Sequence, residues 1–203
     1  MRKVKLEMQV SLDGFALDVD GKTDWMVWSW GEDWTWDEAL RRRHIDLTTS
    51  SDCILLSRMM AEEDFVGHWA NVDPADPRSA FAQPITKMRK VVFSKTLDQS
   101  KWPNTDLAKG ELADEVTRRK AEQGKDIIAY GGPNFAGSLL RAGLIDELHL
   151  FVNPVVLGAG RSMFKAVDGA LNLTPEKATT YECGVVVLQY SIDRDPMSRR
   201  QAA

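Results

Sequence analysis

The chain has 203 residues, enough to bury a sizeable core, with 43% hydrophobic and 28% charged residues, an ordinary balance for a globular fold. A net charge of −4 at pH 7 and a pI near 5.5 exclude a global basic field for nucleic acid or an anionic membrane, so any anion site is local. Cys53 and Cys183 form no C-x-x-C pair, so neither a metal site nor a disulfide framework is expected. The sequence shows no signal peptide and no apolar run of about eighteen residues, which makes the cytoplasm the expected location, without membrane attachment.

Lys3 to Val10 alternates polar and apolar residues and predicts a strand with one buried face, ended by the turn SLDGF. A long loop follows from Ala16 to Trp34. Trp25, Trp28, Trp30, Trp34 and Trp36 put five of the seven tryptophans between Asp13–Gly14 and the next helix, either to stack on a flat ligand or to pin the loop by burial. Thr35-x-x-Glu38 reads as a capping box for a helix through Thr49, with Arg41, Arg42 and Arg43 on its wet side. Cys53 to Leu56 is a second strand and Met59 to Phe65 a short helix. Gly67 to Lys87, with Pro74, Pro77 and Pro84, reads as irregular apart from a turn near Ala80. Arg89 to Phe93 is a third strand and Glu111 to Gln123 an amphipathic helix.

Asp126 to Leu140, DIIAYGGPNFAGSLL, is a strand, a glycine turn and a helix. Gly131 and Gly132 suit a turn with positive φ, Pro133 suits a helix start, and Asn134 is a candidate N-cap. Such a turn aims backbone N–H groups and the positive end of a helix dipole at a phosphate, though a plain tight loop explains the residues equally. A strand closes at Val152, LGAGRSMF holds a short helical turn, and Leu171 to Tyr181 and Val185 to Ile192 predict an antiparallel pair. One domain over 1–193 with a frayed tail at 194–203 is expected. Strands alternating with helices imply a mainly parallel sheet whose carboxyl edge takes ligands, and Ser57–Arg58, Ser94–Lys95–Thr96 and Gly131–Gly132 all land on that edge. In a strand buried on both faces, Lys3, Lys5, Glu7 and Gln9 would be awkward. Their face is therefore expected to meet solvent, a cavity or a partner subunit.

SLDG at Ser11 to Gly14, DW at Asp24–Trp25, LLSR at Leu55 to Arg58, VVFSKTL at Val91 to Leu97 and YGGPNFAGSLL at Tyr130 to Leu140 occur in this order. LIDELHLFVNPVVLGAGRSMF at Leu144 to Phe164 completes the series. Together they resemble the dihydrofolate reductase superfamily, in the group similar to the carboxyl-terminal reductase domain of the riboflavin-biosynthesis deaminase/reductase. The resemblance implies an α/β three-layer fold on a mainly parallel mixed sheet of about eight strands, with an antiparallel C-terminal pair. It also implies a homodimer and NADPH across the carboxyl edge. By the same resemblance Gly131, Gly132, Asn134 and Phe135 hold the pyrophosphate, Leu56 and Ser57 lie alongside, and Ser94, Lys95 and Thr96 flank the adenosine half. Arg58 would reach the 2′-phosphate. The substrate cleft is expected at Gly14, Trp25, Leu157 and Gly158. Asp13 is the candidate proton donor, with capping of the Asp-Gly turn as its alternative role and Asp24, Asp37 and Glu62 as weaker candidates.

The function so implied is NADPH-dependent hydride transfer to a small pyrimidine- or pterin-type heterocycle, resembling 5-amino-6-(5-phosphoribosylamino)uracil reductase, with no nucleic acid involved. One segment departs from the family pattern: where relatives read GRxTYE, this chain has Ser57-Arg58-Met59-Met60-Ala61-Glu62. That departure motivates the alternative, a catalytically silent dinucleotide-binding or dimeric interaction protein on the same fold.

Overall fold

Alternation along β1 (Val4–Val10) sends Val4, Leu6, Met8 and Val10 into one apolar core, which leaves Lys5, Glu7 and Gln9 on the opposite face. The computed structural model describes residues 1–29 and 33–192. Trp30 and the tail at 194–203 lie outside them. After β1 come α1 (Glu38–Thr49), β2 (Ser51–Ser57), α2 (Arg58–Glu62), α3 (Phe65–Ala70) and α4 (Ser79–Lys87). The chain continues through β3 (Arg89–Phe93), β4 (Thr105–Ala108), α5 (Leu112–Ala121), β5 (Asp126–Tyr130), α6 (Pro133–Arg141) and β6 (Glu147–Val152). A 3₁₀ turn at Met163–Ala166, β7 (Leu173–Thr180) and β8 (Val186–Ile192) complete it.

Among the described residues eight strands form one sheet in the order β4-β3-β2-β5-β1-β6-β8-β7. Every pair from β4 to β6 is parallel, and β8 runs antiparallel to both β6 and β7. This is the α/β mixed sheet with an antiparallel C-terminal pair that the sequence predicts. Period-two alternation then sorts the buried residues to two faces. Ile54, Leu56, Val92 and Ile128 pack under α1, α3 and α4, with Trp28, Trp34 and Trp36 among them. Cys53, Leu55, Val91, Ile127 and Ala129 pack under α5 and α6. Helices on both faces give the three layers.

Several local expectations are corrected. Asp37, not Thr35, caps α1: its carboxylate accepts from the Leu40 amide at 2.9 Å, while the Thr35 hydroxyl donates to the Val27 carbonyl. Arg41 and Arg43 are not simply solvated. Arg41 donates to the Trp34 and Trp36 carbonyls, and Arg43 bonds His149 and Gln189, so the run ties α1 to the loop and the sheet. The helix expected from Met59 to Phe65 breaks at Asp64, which sits at φ 68°, and resumes as α3. Gly67 to Lys87 holds most of α3 and all of α4 rather than irregular chain. Pro84 hides α4 in the sequence, yet Phe81, Ala82 and Ile85 are buried and anchor the helix against α1 and α3.

Candidate active site

Parallel pairing brings three strand ends into line. Ser57 at the end of β2 is opposite Phe93 at the end of β3, and Leu56 is opposite Tyr130 at the end of β5. The turns that follow, at Arg58, at Ser94 to Thr96 and at Gly131–Gly132, therefore share one edge, as the sequence predicts. Arg58 Nη1 donates to Thr96 Oγ1 at 3.4 Å, linking the first two. Ser57 Oγ accepts from the Met60 amide at 3.2 Å and caps α2. Ser94 Oγ accepts from the amides of Thr96 and Leu97 at 3.2 and 3.0 Å. Lys95 is exposed and paired with Glu111 at 3.0 Å.

The glycine turn works differently from expectation. Neither Gly131 nor Gly132 has positive φ, so left-handed backbone is not why glycine is there. A Cβ on Gly131 would come within 2.6 Å of the Phe135 ring and 3.0 Å of Ser57 Cβ, so this glycine lets two turns touch. A Cβ on Gly132 would meet nothing within 4 Å, leaving backbone open to an approaching group. Gly132, not Asn134, is the N-cap of α6, and no side chain caps the helix. Asn134 is exposed. Phe135 packs on Phe93 with ring centroids 5.5 Å apart, and Leu56 is fully buried in the core, so each can offer a ligand mainly its backbone.

Beside Gly131 and Gly132 opens a cavity of about 170 Å³. Met26, Met60, Phe65, Trp69 and Phe81 form apolar walls, Trp28 and Tyr130 add aromatic faces, and Glu7 and His44 contribute polar groups. The polar face of β1 thus meets a cavity, one of the three surroundings its alternation predicts. Glu7 is 8% exposed. Its Oε1 lies 2.7 Å from His44 Nδ1, at an angle that is not that of a hydrogen bond, and its Oε2 accepts from the Tyr130 hydroxyl at 3.1 Å. The Tyr130 hydroxyl also lies 2.8 Å from Thr48 Oγ1. Burial, reinforced by the Glu7 carboxylate, raises the Tyr130 phenol well above its ordinary pKa, so it stays protonated and donates.

The residues expected around the substrate lie outside the wall of this cavity. Asp13 is absent from the cavity wall: its carboxylate accepts from Ser11 Oγ at 2.7 Å and from the Leu157 and Gly158 amides at 3.1 and 2.7 Å. Those bonds, that of Ser11 foremost, hold its pKa below the usual carboxylate range. Asp13 is therefore built as the clasp between the SLDG turn and the Leu157–Gly158 loop, a structural role that reaches beyond the capping of its own turn expected from the sequence. Gly14 is a turn residue at φ 84°, and Trp25 donates its indole N–H to the Lys22 carbonyl. Of the weaker candidates, Asp37 caps α1, Glu62 pairs with Arg58 at 3.7 Å, and Asp24 is exposed.

Three of the clustered tryptophans belong to the core. Trp34 and Trp36 are buried, and Trp36 stacks on Phe151 at 5.3 Å, while Trp28 is both buried and a cavity wall. Sequence reading missed Glu7, His44 and Tyr130 as a group because β1, α1 and β5 bring them together across the sheet. The one signal for it was the polar alternation of β1.

Comparison with known proteins places this architecture. The family model of the RibD C-terminal domain matches residues 2–187. The chain belongs to that family. A curated relative, the uncharacterised protein YyaP of Bacillus subtilis, is 31% identical over 192 residues, covering 93% of this chain and 94% of its own. The riboflavin biosynthesis protein RibD of Escherichia coli is 26% identical over 190 residues, which cover 77% of this chain and 49% of RibD. The solved structure of a candidate riboflavin biosynthesis protein from Shewanella sp. PV-4 superposes with a TM-score of 0.70 at 20% identity, covering 95% of this chain and 99% of that one. Within this RibD C-terminal domain, the aligned turns and the cavity lie at one sheet edge. Among the described residues no group of three or more His, Cys, Asp or Glu is placed to hold a metal ion, and no helix is long and apolar enough to cross a membrane.

Proposed function

We propose that the protein is an NADPH-dependent reductase of a small heterocycle. The observation that carries the reading is the ring-sized, mostly apolar cavity opening beside Gly131 and Gly132, in line with two further polar turns. The residues present fit a dinucleotide. Open space over Gly132 and the side-chain-free start of α6 suit a pyrophosphate, while Arg58 and Lys95 offer cations farther along the edge. Exposed pairs such as Arg58–Glu62 at 3.7 Å contribute only about 0–1 kcal/mol, so Arg58 can exchange its partner for a phosphate at little cost.

NADPH would supply the hydride. The chain's own residues would seat the acceptor ring among Trp28, Phe65, Trp69 and Phe81, exclude water from it, and hold Glu7 at its edge. The homodimer implied by the resemblance is part of the same proposal and is read by sedimentation. Fluorescence titration with NADPH and NADH tests the cofactor. The expected result is a saturable tryptophan signal, tighter for NADPH, with Arg58→Ala narrowing the difference. If neither cofactor binds below about millimolar, equivalent to roughly 4 kcal/mol, the reading fails.

One observation favours the silent alternative: Ser57 Cβ lies against Gly131, where relatives carry glycine, and Met60 fills cavity wall. Cofactor binding without NADPH oxidation by any heterocycle would select it.

A further inference from the structure

We propose that His44 is the catalytic proton donor of this cavity: its Nε2 delivers the proton that must accompany hydride addition, and Glu7 is the positioning residue that holds the imidazole and balances its charge. The inference rests on the reductase reading and deepens it. His44, on α1, is 3% exposed and lines the cavity. Neither of its ring nitrogens makes a hydrogen bond. Buried polar groups are as a rule partnered, so an imidazole left this way in a cavity wall points to a role for a group that enters. Among the described residues one other side chain of that wall, Trp69, has a buried polar atom without a partner, its indole Nε1. An indole N–H only donates, whereas imidazole takes up and releases a proton in the neutral range.

Glu7 decides which nitrogen serves. Its Oε1 lies 2.7 Å from Nδ1, which leaves Nε2 for a group in the cavity. An ionised carboxylate only accepts, so Nδ1 faces it with a proton, and a second proton on Nε2 makes an imidazolium whose charge Glu7 balances. The Tyr130 hydroxyl, which stays protonated, donates to Glu7 Oε2 at 3.1 Å and favours the ionised carboxylate. Other charged groups on this face of the sheet have partners of their own. Lys5 pairs with Asp126 and Ser50, and His149 with Arg43 and Glu147. Against the imidazole itself, α4 presents the Phe81 ring, stacked at 4.1 Å, and the tryptophan cluster presents Trp28, Trp34 and Trp36 edge-on at 6.0, 6.3 and 5.3 Å.

The step balances with NADPH as the reductant. As hydride adds to the carbon of a polarised C=N or C=O bond, that bond's electron pair moves onto nitrogen or oxygen, and the proton leaves His44 Nε2 to bond there. The acceptor gains one hydride and one proton, NADPH is oxidised, and His44 is left neutral with its remaining proton on Nδ1 beside Glu7. Water restores the Nε2 proton once product leaves.

Two measurements on the full chain test this. Nitrogen-15 NMR of the three histidine side chains needs no substrate, and the His44 signals are those lost in His44→Gln. Between about pH 5 and 8, Nδ1 is expected to keep its proton while Nε2 gains and loses one. An imidazole that does not titrate there, or one whose bare nitrogen is Nδ1, would overturn the proposal. If His44→Gln does not fold, replacing His68 and His149 assigns the same signals by elimination. The second measurement is NADPH oxidation by pyrimidin-2-one, a single ring with a C=N bond. In His44→Gln, whose amide can still hydrogen-bond but cannot release a proton, kcat is expected to fall about a hundred- to ten-thousandfold with KM and NADPH affinity within about threefold. Wild-type kcat should also fall as rising pH strips the Nε2 proton, and that limb should vanish in the variant. A merely structural His44 would change stability and KM and leave the limb in place, and either a surviving limb or an unchanged kcat overturns the proposal. If NADPH binds but this ring is not reduced, the nitrogen spectra decide alone; if NADPH does not bind, the reductase reading fails and the proton donor with it.

Discussion

A Cβ on Gly131 would press on Phe135 and Ser57, whereas one on Gly132 would enter open space. The two neighbours thus separate folding from binding. Gly131→Ala is expected to destabilise the protein by about 1–3 kcal/mol, the usual cost of overpacking. Gly132→Ala, at φ −70° where alanine is unstrained, should melt like the parent yet lose NADPH affinity. Thermal melts beside cofactor titrations of both variants check the pair, and normal NADPH affinity in Gly132→Ala would count against a pyrophosphate at that turn. Glu147 gives a second test at this scale. Arg43 donates to His149 Nδ1 at 3.0 Å, which leaves the ring proton on Nε2 to donate to Glu147 at 3.2 Å; with Lys3 at 2.7 Å this outweighs burial and lowers the Glu147 pKa to about 2. A depressed carboxylate stabilises the fold above its unfolded pKa and loses that contribution as pH falls through the folded value. Stability should therefore drop by on the order of 2–3 kcal/mol between about pH 4.5 and 2, and Glu147→Gln should flatten that limb in acid denaturation.

Helix α1 depends on a cap that also reaches across the fold. The Asp37 carboxylate accepts from the Leu40 amide and, at 3.1 Å, from the Cys183 amide in the turn before β8. Asp37→Ala removes both bonds, with an expected cost of about 1–2 kcal/mol and a melting temperature lower by several degrees. Asp37→Asn should recover only part of the loss, because its single amide oxygen can replace one of the two accepting oxygens. Elements with strong periodicity, such as β1, α5 and the β5 to α6 unit, are legible in the sequence. Among those that are not, α4 and β4 have separate reasons. In α4, Pro84 breaks the helical pattern, and the compensation comes from tertiary burial of Phe81 and Ile85. In β4, four residues with two polar side chains at the sheet edge carry no apolar alternation at all.

At the scale of the whole molecule, the parallel order of six strands brings separate short motifs to one shared edge. The three turns are legible because each lies immediately after a strand. The cavity floor is not, because Glu7, His44 and Tyr130 come from β1, α1 and β5 and meet only when the sheet is assembled. The Asp13 clasp teaches the same lesson in reverse: its motif stands out in the sequence, yet its oxygens are committed to Ser11, Leu157 and Gly158. On the proposed function a nicotinamide dinucleotide lies along this edge. Amide chemical-shift mapping of the isotopically labelled full chain during NADPH titration reads its position. Saturable shifts clustered at Ser57–Arg58, Ser94 to Thr96 and Gly131 to Phe135 are expected. No saturable shifts, or shifts centred on the β7–β8 end of the sheet, would contradict it.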